Sequence, residues 1–396
     1  MSTRPREYIS ETINATSENS TQPSELLERR KRWIDLLHKK YYQPLIAEVL
    51  EHELPKYAGS ISVLPRALSR TMQECALILA SAPSVFAAAL EGTLTRRYLI
   101  DADLQREYTM IQERARVQPS IYIHLLADEN GIAPTANQYL RVRDIILQYM
   151  DTDSRHDELA WLVDNTTRPL VTRSKTATGH RKFLWTSLRS HRHVATLLQL
   201  CEGITKRWKG TPMSERDTPL EYPPGECGYS IDSHARLLQH RNRQSSNYVM
   251  SLVEDICTYL HSVGEFTQLF HMHQFIIYLI FRPQQAAIAE IFCSGLLQVW
   301  TEGGGGLNAY PAGRSVASAR RVNFQQWEEH EQWVMENTDM IQNWMIQRER
   351  LEGDVMGLDR ETEKIWREAM DSESGDNGDD PEDEDWNPNE LGDEMS

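Results

Sequence analysis

The chain predicts an all-α fold: a multi-helix globular body between a disordered N-terminus and an acidic, disordered C-terminal tail. Three observations predict it. Apolar residues recur at spacings of three, four and seven through most of 24–300, the period of one helix face. Strand-like alternation is scarce, and 170–178 is the best stretch for it. The charge is segregated: 371–396 holds 12 acids and no Lys or Arg, and 324–370 holds 12 acids against 5 bases. The rest of the 396 residues, with 34 acids and 37 bases, is nearly neutral although the whole chain carries −16. About 40% of the residues are hydrophobic, enough for a sizeable core.

Residues 1–23 are polar and rich in Ser and Thr, which predicts a disordered segment. Residues 24–164 read as an N-terminal helical region. Ser24 offers a cap with Glu25 in the first turn, and Leu26, Leu27, Trp33, Leu36, Leu37, Tyr41 and Tyr42 supply an apolar side. Two buried helices follow over 63–80 and 84–98, parted by Pro83. Asp101 or Asp103 caps another, and 119–128 and 135–150 continue the helical pattern across an Asn130-Gly131 turn. Residues 165–300 form a second region. Within it, 179–210 predicts a helix whose apolar stripe runs from Leu184 to Trp208. Arg181, Lys182, Arg189, Arg192, Lys206 and Lys209 then lie on a basic outer face. Residues 210–228 hold four prolines and read as a loop, 230–263 as a helix, and 265–281 with 283–300 as an apolar helical hairpin. A glycine run then opens an expected linker over 301–323. Residues 324–352 read as a helix with Trp327, Val334, Ile341 and Met345 on one side, widened by Trp333, Met340 and Trp344. Residues 353–396 form the tail.

The zone 168–209 carries ten Lys and Arg against one acid, Glu202. Such a surface suits phosphates or an acidic protein partner; the alternative is a solvated face of a core helix. No helix-turn-helix, zinc-finger, basic-zipper or RNA-stacking pattern supports direct readout of bases, so contact with nucleic acid stays open. Trp327, Trp333 and Trp344 are anchors of the kind enriched in binding hot spots; packing of their helix onto the body is the alternative. No catalytic signature stands out: GxSxG, HExxH, GxGxxG and GxxxxGK[ST] are missing. Cys257 and His261 lie four apart on an expected helix, and His271 and His273 follow. The latter two diverge on a helix and converge only in an extended chain, so no metal or other cofactor is expected. The five cysteines are widely spaced and odd in number, which fits reduced thiols. No apolar run reaches the ~20 residues of a membrane span.

Four segments resemble one family: 62–79 (SVLPRALSRTMQECALIL), 97–108 (RYLIDADLQREY), 130–141 (NGIAPTANQYLR) and 179–201 (GHRKFLWTSLRSHRHVATLLQLC). They are similar to mating-type-locus sexual sporulation regulators of filamentous ascomycetes, the members with neither an HMG box nor an α-box. The similarity covers roughly 26–300 and leaves out both ends. The resemblance implies a nuclear or nucleocytoplasmic protein without catalysis. It would act after fertilisation, toward fruiting bodies and ascospores. Its implied partners are other transcriptional regulators, an HMG-box protein of the same locus among them. Sequence reading alone keeps two alternatives, a sequence-nonspecific nucleic-acid binder masked by its own tail and a helical metal-dependent enzyme.

Overall fold

A computed structural model describes residues 25–57, 68–185, 188–244, 247–304, 306–310, 312–313 and 316–353. The expected disordered segment 1–23, the Ser24 cap and the acidic tail from 354 lie outside the described residues. Among those described, fifteen α-helices surround one three-stranded antiparallel sheet. The body is therefore mostly helical and not all-α.

The first helices are α1 (Glu25–His38), α2 (Tyr42–Glu53), α3 (Leu68–Ala80), α4 (Ser84–Leu90), α5 (Leu94–Ile100) and α6 (Ala102–Arg114). Pro83 separates α3 from α4. The Asp101 carboxylate accepts from the Asp103 and Leu104 N–H groups and so starts α6. In α1, Arg30 is buried and donates to the carbonyls of Leu90, Ala89 and Leu297. It satisfies chain ends that have no helical partner.

Strand β1 (Ser120–Ala127) lies in the stretch expected to continue the helical pattern. All eight of its residues are buried. A strand covered on both faces shows no apolar–polar alternation, so its period is lost to inspection. β1 is the centre of the sheet. β2 (Gly225–Ser230) pairs with it on one side, Ile123 opposite Cys227, and β3 (His271–Leu279) on the other, Ile123 opposite Phe275. β2 was expected as loop and β3 as helix. The 170–178 stretch, expected to be the best strand, instead contains the short helix α9 (Arg173–Ala177).

The remaining helices are α7 (Ala136–Met150), α8 (Asp157–Asp164), α10 (His191–Gly210), α11 (Ser233–Arg241), α12 (Tyr248–Ser262), α13 (Gln285–Leu296), α14 (Phe324–Asn337) and α15 (Met340–Gly353). Thr135 and Gln138 close a capping box on α7. The larger core joins α1–α6, most of the sheet, α13 and the C-terminal helices. A second core joins α7, α8, α10 and α12, with Leu126 and its cross-strand partner Met272. All five cysteines are free and buried. No single described helix is long and apolar enough to cross a membrane.

The segment expected as a flexible linker, 301–323, packs onto the body through much of its described length, while Glu302, Arg320, Arg321 and Asn323 are exposed. Leu307 is fully buried. The Asn308 side chain accepts from the Cys227 N–H at 3.0 Å and donates to the Cys227 carbonyl at 2.8 Å. It thereby covers the free edge of β2. Gly313 N–H donates to Glu290, and residues Val316–Arg321 form a 3₁₀ turn. The glycines serve close packing here: backbone meets backbone where α10 crosses the turn at 301–304.

Candidate functional site

The basic zone divides in two. Ser190, whose side chain accepts from the His193 N–H, starts α10 eleven residues later than 179. From there the expected period holds. Arg192, Ala195, Gln199, Glu202, Lys206 and Lys209 are exposed in one outward stripe with steps of three and four. Arg192 to Lys209 spans roughly 25 Å of helix. The Arg192 guanidinium lies 4.3 Å from the centre of the Tyr310 ring. Among the described residues, no carboxylate pairs with Arg192, Lys206, Lys209 or the exposed Arg168 and Lys175.

Upstream of Ser190 the expected outer face is corrected. Arg181 is 0% exposed. It donates to the carbonyls of Tyr149, Asp151, Thr176 and His180 and to Asp157. Lys182 is half-buried, donates to the carbonyls of Asp164 and Thr167, and faces Asp255 at 3.6 Å. Burial pushes its ammonium below the usual range. Arg189 is half-buried and donates to the Met150 carbonyl. The reason is local. Helix α7 ends at Met150, its last carbonyls lack helical donors, and the arginines that follow in sequence supply them. The Lys182 N–H and the Tyr149 hydroxyl both donate to Asp164. Burial nonetheless raises that carboxyl to about 6.

The tryptophan helix is two helices, broken at Thr338. Trp327 is buried in the main core, and Trp333 and Trp344 are partly buried against it. The break turns the second half. Ile341 and Met345, expected beside Trp327, are 54% and 56% exposed. Met340 and Asn343 face the body in their place, and Asn343 donates to the Ala80 carbonyl. The three tryptophans are thus occupied by their own chain. His330 on α14 is buried, with Nδ1 2.8 Å from the Arg114 guanidinium and Nε2 unpartnered. Burial, with Arg114 second, lowers its pKa to about 4.

A third group of side chains has no counterpart in any sequence motif. His124 on β1, Glu226 on β2 and His240 on α11 are all buried, with one donor atom from each within 4.8 Å of the others. Register sets His124 opposite Glu226. His124 Nδ1 meets the Glu226 carboxylate at 2.7 Å, and its Nε2 meets the Gln274 amide at 3.2 Å. The two imidazole rings are 4.5 Å apart. Tyr122 lies opposite Gly228, where the missing side chain leaves room for its ring. Its hydroxyl is 3.4 Å from His240 Nε2 and accepts from Arg236. Burial works to raise Glu226, but the hydrogen bond from His124, with the nearby Arg236 guanidinium, holds it below the usual carboxylate range. Burial lowers His240 to about 4. No fixed spacing links positions 124, 226 and 240, so only the fold brings them together.

The four groups weighed in the sequence as metal ligands do not assemble. The Cys257 thiol is buried and pushed well up by burial. His261 Nδ1 meets the Phe266 carbonyl at 3.2 Å. His271 and His273 do stack, 4.3 Å apart, because β3 is extended and residues two apart share a face. His273 Nε2 meets the Asp128 carbonyl.

No protein-family model, curated protein or solved structure matches the chain.

Proposed function

We propose that the chain is a non-catalytic regulatory protein of fungal sexual development. It acts in the mating-type-dependent steps that follow fertilisation and lead to ascospores, in or around the nucleus, through other transcriptional regulators. The segments 62–79, 97–108, 130–141 and 179–201 support the family reading. One structural observation carries the mode of action. Arg192, Lys206 and Lys209 stand exposed on one stripe of α10 without a carboxylate partner among the described residues, while Arg181, Lys182 and Arg189 are spent inside the fold. Unpaired surface cations cost little to keep and attract an acidic partner over about a Debye length.

The test is affinity capture of the full chain from cells in sexual development, beside a triple variant Arg192→Glu, Lys206→Glu, Lys209→Glu. A transcriptional regulator is recovered with the unaltered chain and lost with the triple variant. Equal recovery with both would leave the stripe as mere solvated surface. Retention on duplex DNA that falls steeply with salt, with no protein recovered, would transfer the same stripe to nucleic acid.

A further inference from the structure

We propose that His124, Glu226 and His240 form a structural site for a divalent transition-metal ion, with zinc as the cation their chemistry fits. The inference stands apart from the regulatory reading and fails or holds independently of it.

The donor set is two imidazoles and one carboxylate, ligands that suit zinc and neighbouring borderline cations. Each comes from a different element, β1, β2 and α11. A tetrahedral zinc holds its ligand atoms ~2.0–2.2 Å away and therefore ~3.3 Å from one another. His124 Nδ1 and Glu226 are already 2.7 Å apart, and no donor of the three is farther than 4.8 Å from another. Rotation of the His240 ring closes the remaining gap. A second observation points to a ligand independently. His240 is buried, yet its Nδ1 has no hydrogen-bond partner. A buried ring nitrogen left without a partner costs free energy that a bound cation returns.

The surroundings complete the site. The Gln274 amide lies between His124 Nε2 and the Leu237 carbonyl, 3.2 Å from each, and so orients the His124 ring. When the cation takes the place of the proton between His124 Nδ1 and Glu226, that proton moves to Nε2. The Gln274 amide can accept a hydrogen bond from that Nε2–H only by turning, which gives up its bonds to the Leu237 carbonyl and to Arg241. The Tyr122 hydroxyl, 3.4 Å from His240 Nε2, holds the ring through its other nitrogen and leaves Nδ1 for the ion. Arg236 donates to the same oxygen. Its charge lowers the affinity below that of a site with two carboxylates, which keeps the cation exchangeable. Bound there, the ion ties α11 to the paired strands β1 and β2.

The experiment uses the full chain, purified without a polyhistidine tag. Metal content is measured by mass spectrometry. Cobalt(II) is then titrated as a visible probe, and thermal melting is followed with and without zinc. The expected result is about one zinc or cobalt per chain, a tetrahedral cobalt spectrum and a higher melting temperature with zinc. Glu226→Gln keeps the size and the hydrogen bond to His124, and lowers affinity by roughly 10- to 100-fold. His240→Ala does the same, and Glu226→Gln carries the test if His240→Ala does not fold. His261→Ala changes nothing. Metal far below one equivalent with an unchanged melting temperature would overturn the proposal. So would a Glu226→Gln chain that binds cobalt as tightly as the unaltered one.

Discussion

Gly203 and Gly304 touch backbone to backbone: a Cβ added to Gly304 would lie 1.9 Å from the Gly203 carbonyl oxygen. Gly203 sits inside α10, where Ala is favoured by about 1 kcal/mol. A Cβ there would lie 2.0 Å from the Thr301 carbonyl oxygen. Crowding against backbone outweighs propensity. Gly203→Ala therefore destabilises the protein by about 1–3 kcal/mol, read as a lower denaturation midpoint. A stabilised variant would mean that α10 does not cross the 301–304 turn at this distance.

Arg181 and the surface cations of α10 separate in their effect on stability. Arg181→Met leaves four carbonyls and Asp157 without their donor, and costs about 3–5 kcal/mol, as loss of one partner from a buried charged network does. Arg192→Glu, Lys206→Glu and Lys209→Glu each stay within about 0.5 kcal/mol. Denaturant titration of the four variants decides it. A surface variant as damaging as Arg181→Met would place that residue inside the fold.

The C-terminal helices give a similar contrast. Trp327→Ala removes a large buried side chain from the main core and costs about 3–5 kcal/mol. Ile341→Ser and Met345→Ser, on the exposed side of α15, cost less than about 0.5 kcal/mol. Equal losses at positions 327 and 341 would restore the unbroken helix that the spacing predicts.

His330 makes the docking of α14 acid-sensitive. Its folded pKa, about 4, lies below the 6.5 of a free imidazole. The folded state thus binds fewer protons than the unfolded state between those values. This contribution to stability is complete above pH 6.5 and is lost as the pH falls through 4. Trp327 lies 5.6 Å from the His330 ring, so its fluorescence reports the change. His330→Gln, which cannot take up the proton, reduces the response in this window and leaves the share that His240 contributes. An identical pH profile in the variant would assign the acid sensitivity to another group.

What was legible in the sequence follows from where each signal is written. The α10 stripe at 192–209 shows because one face meets water and the other meets core. The Asp101 cap, the turn at Asn130-Gly131 and the break at Pro83 show because they are local chemistry. β1 does not show, because a strand buried on both faces has no alternation. The 301–323 segment reads as a linker because glycines that permit flexibility also permit backbone contact; only Gly203, a hundred residues earlier, decides between the two. Arg181 reads as surface because its acceptors are carbonyls, which every sequence has. His124, Glu226 and His240 share no spacing at all.

The order of the strands has a consequence for synthesis. β1 is the central strand, yet its neighbours are encoded about 100 and 150 residues after it. At 5–20 residues per second, β1 emerges with both edges bare roughly 5–20 s before β2 exists, and longer before β3. A strand of SIYIHLLA composition is a template for pairing with any other chain during that interval. The nascent protein therefore depends on a holding chaperone, or on early cover from α1–α6, until ribosomes deliver the rest of the sheet.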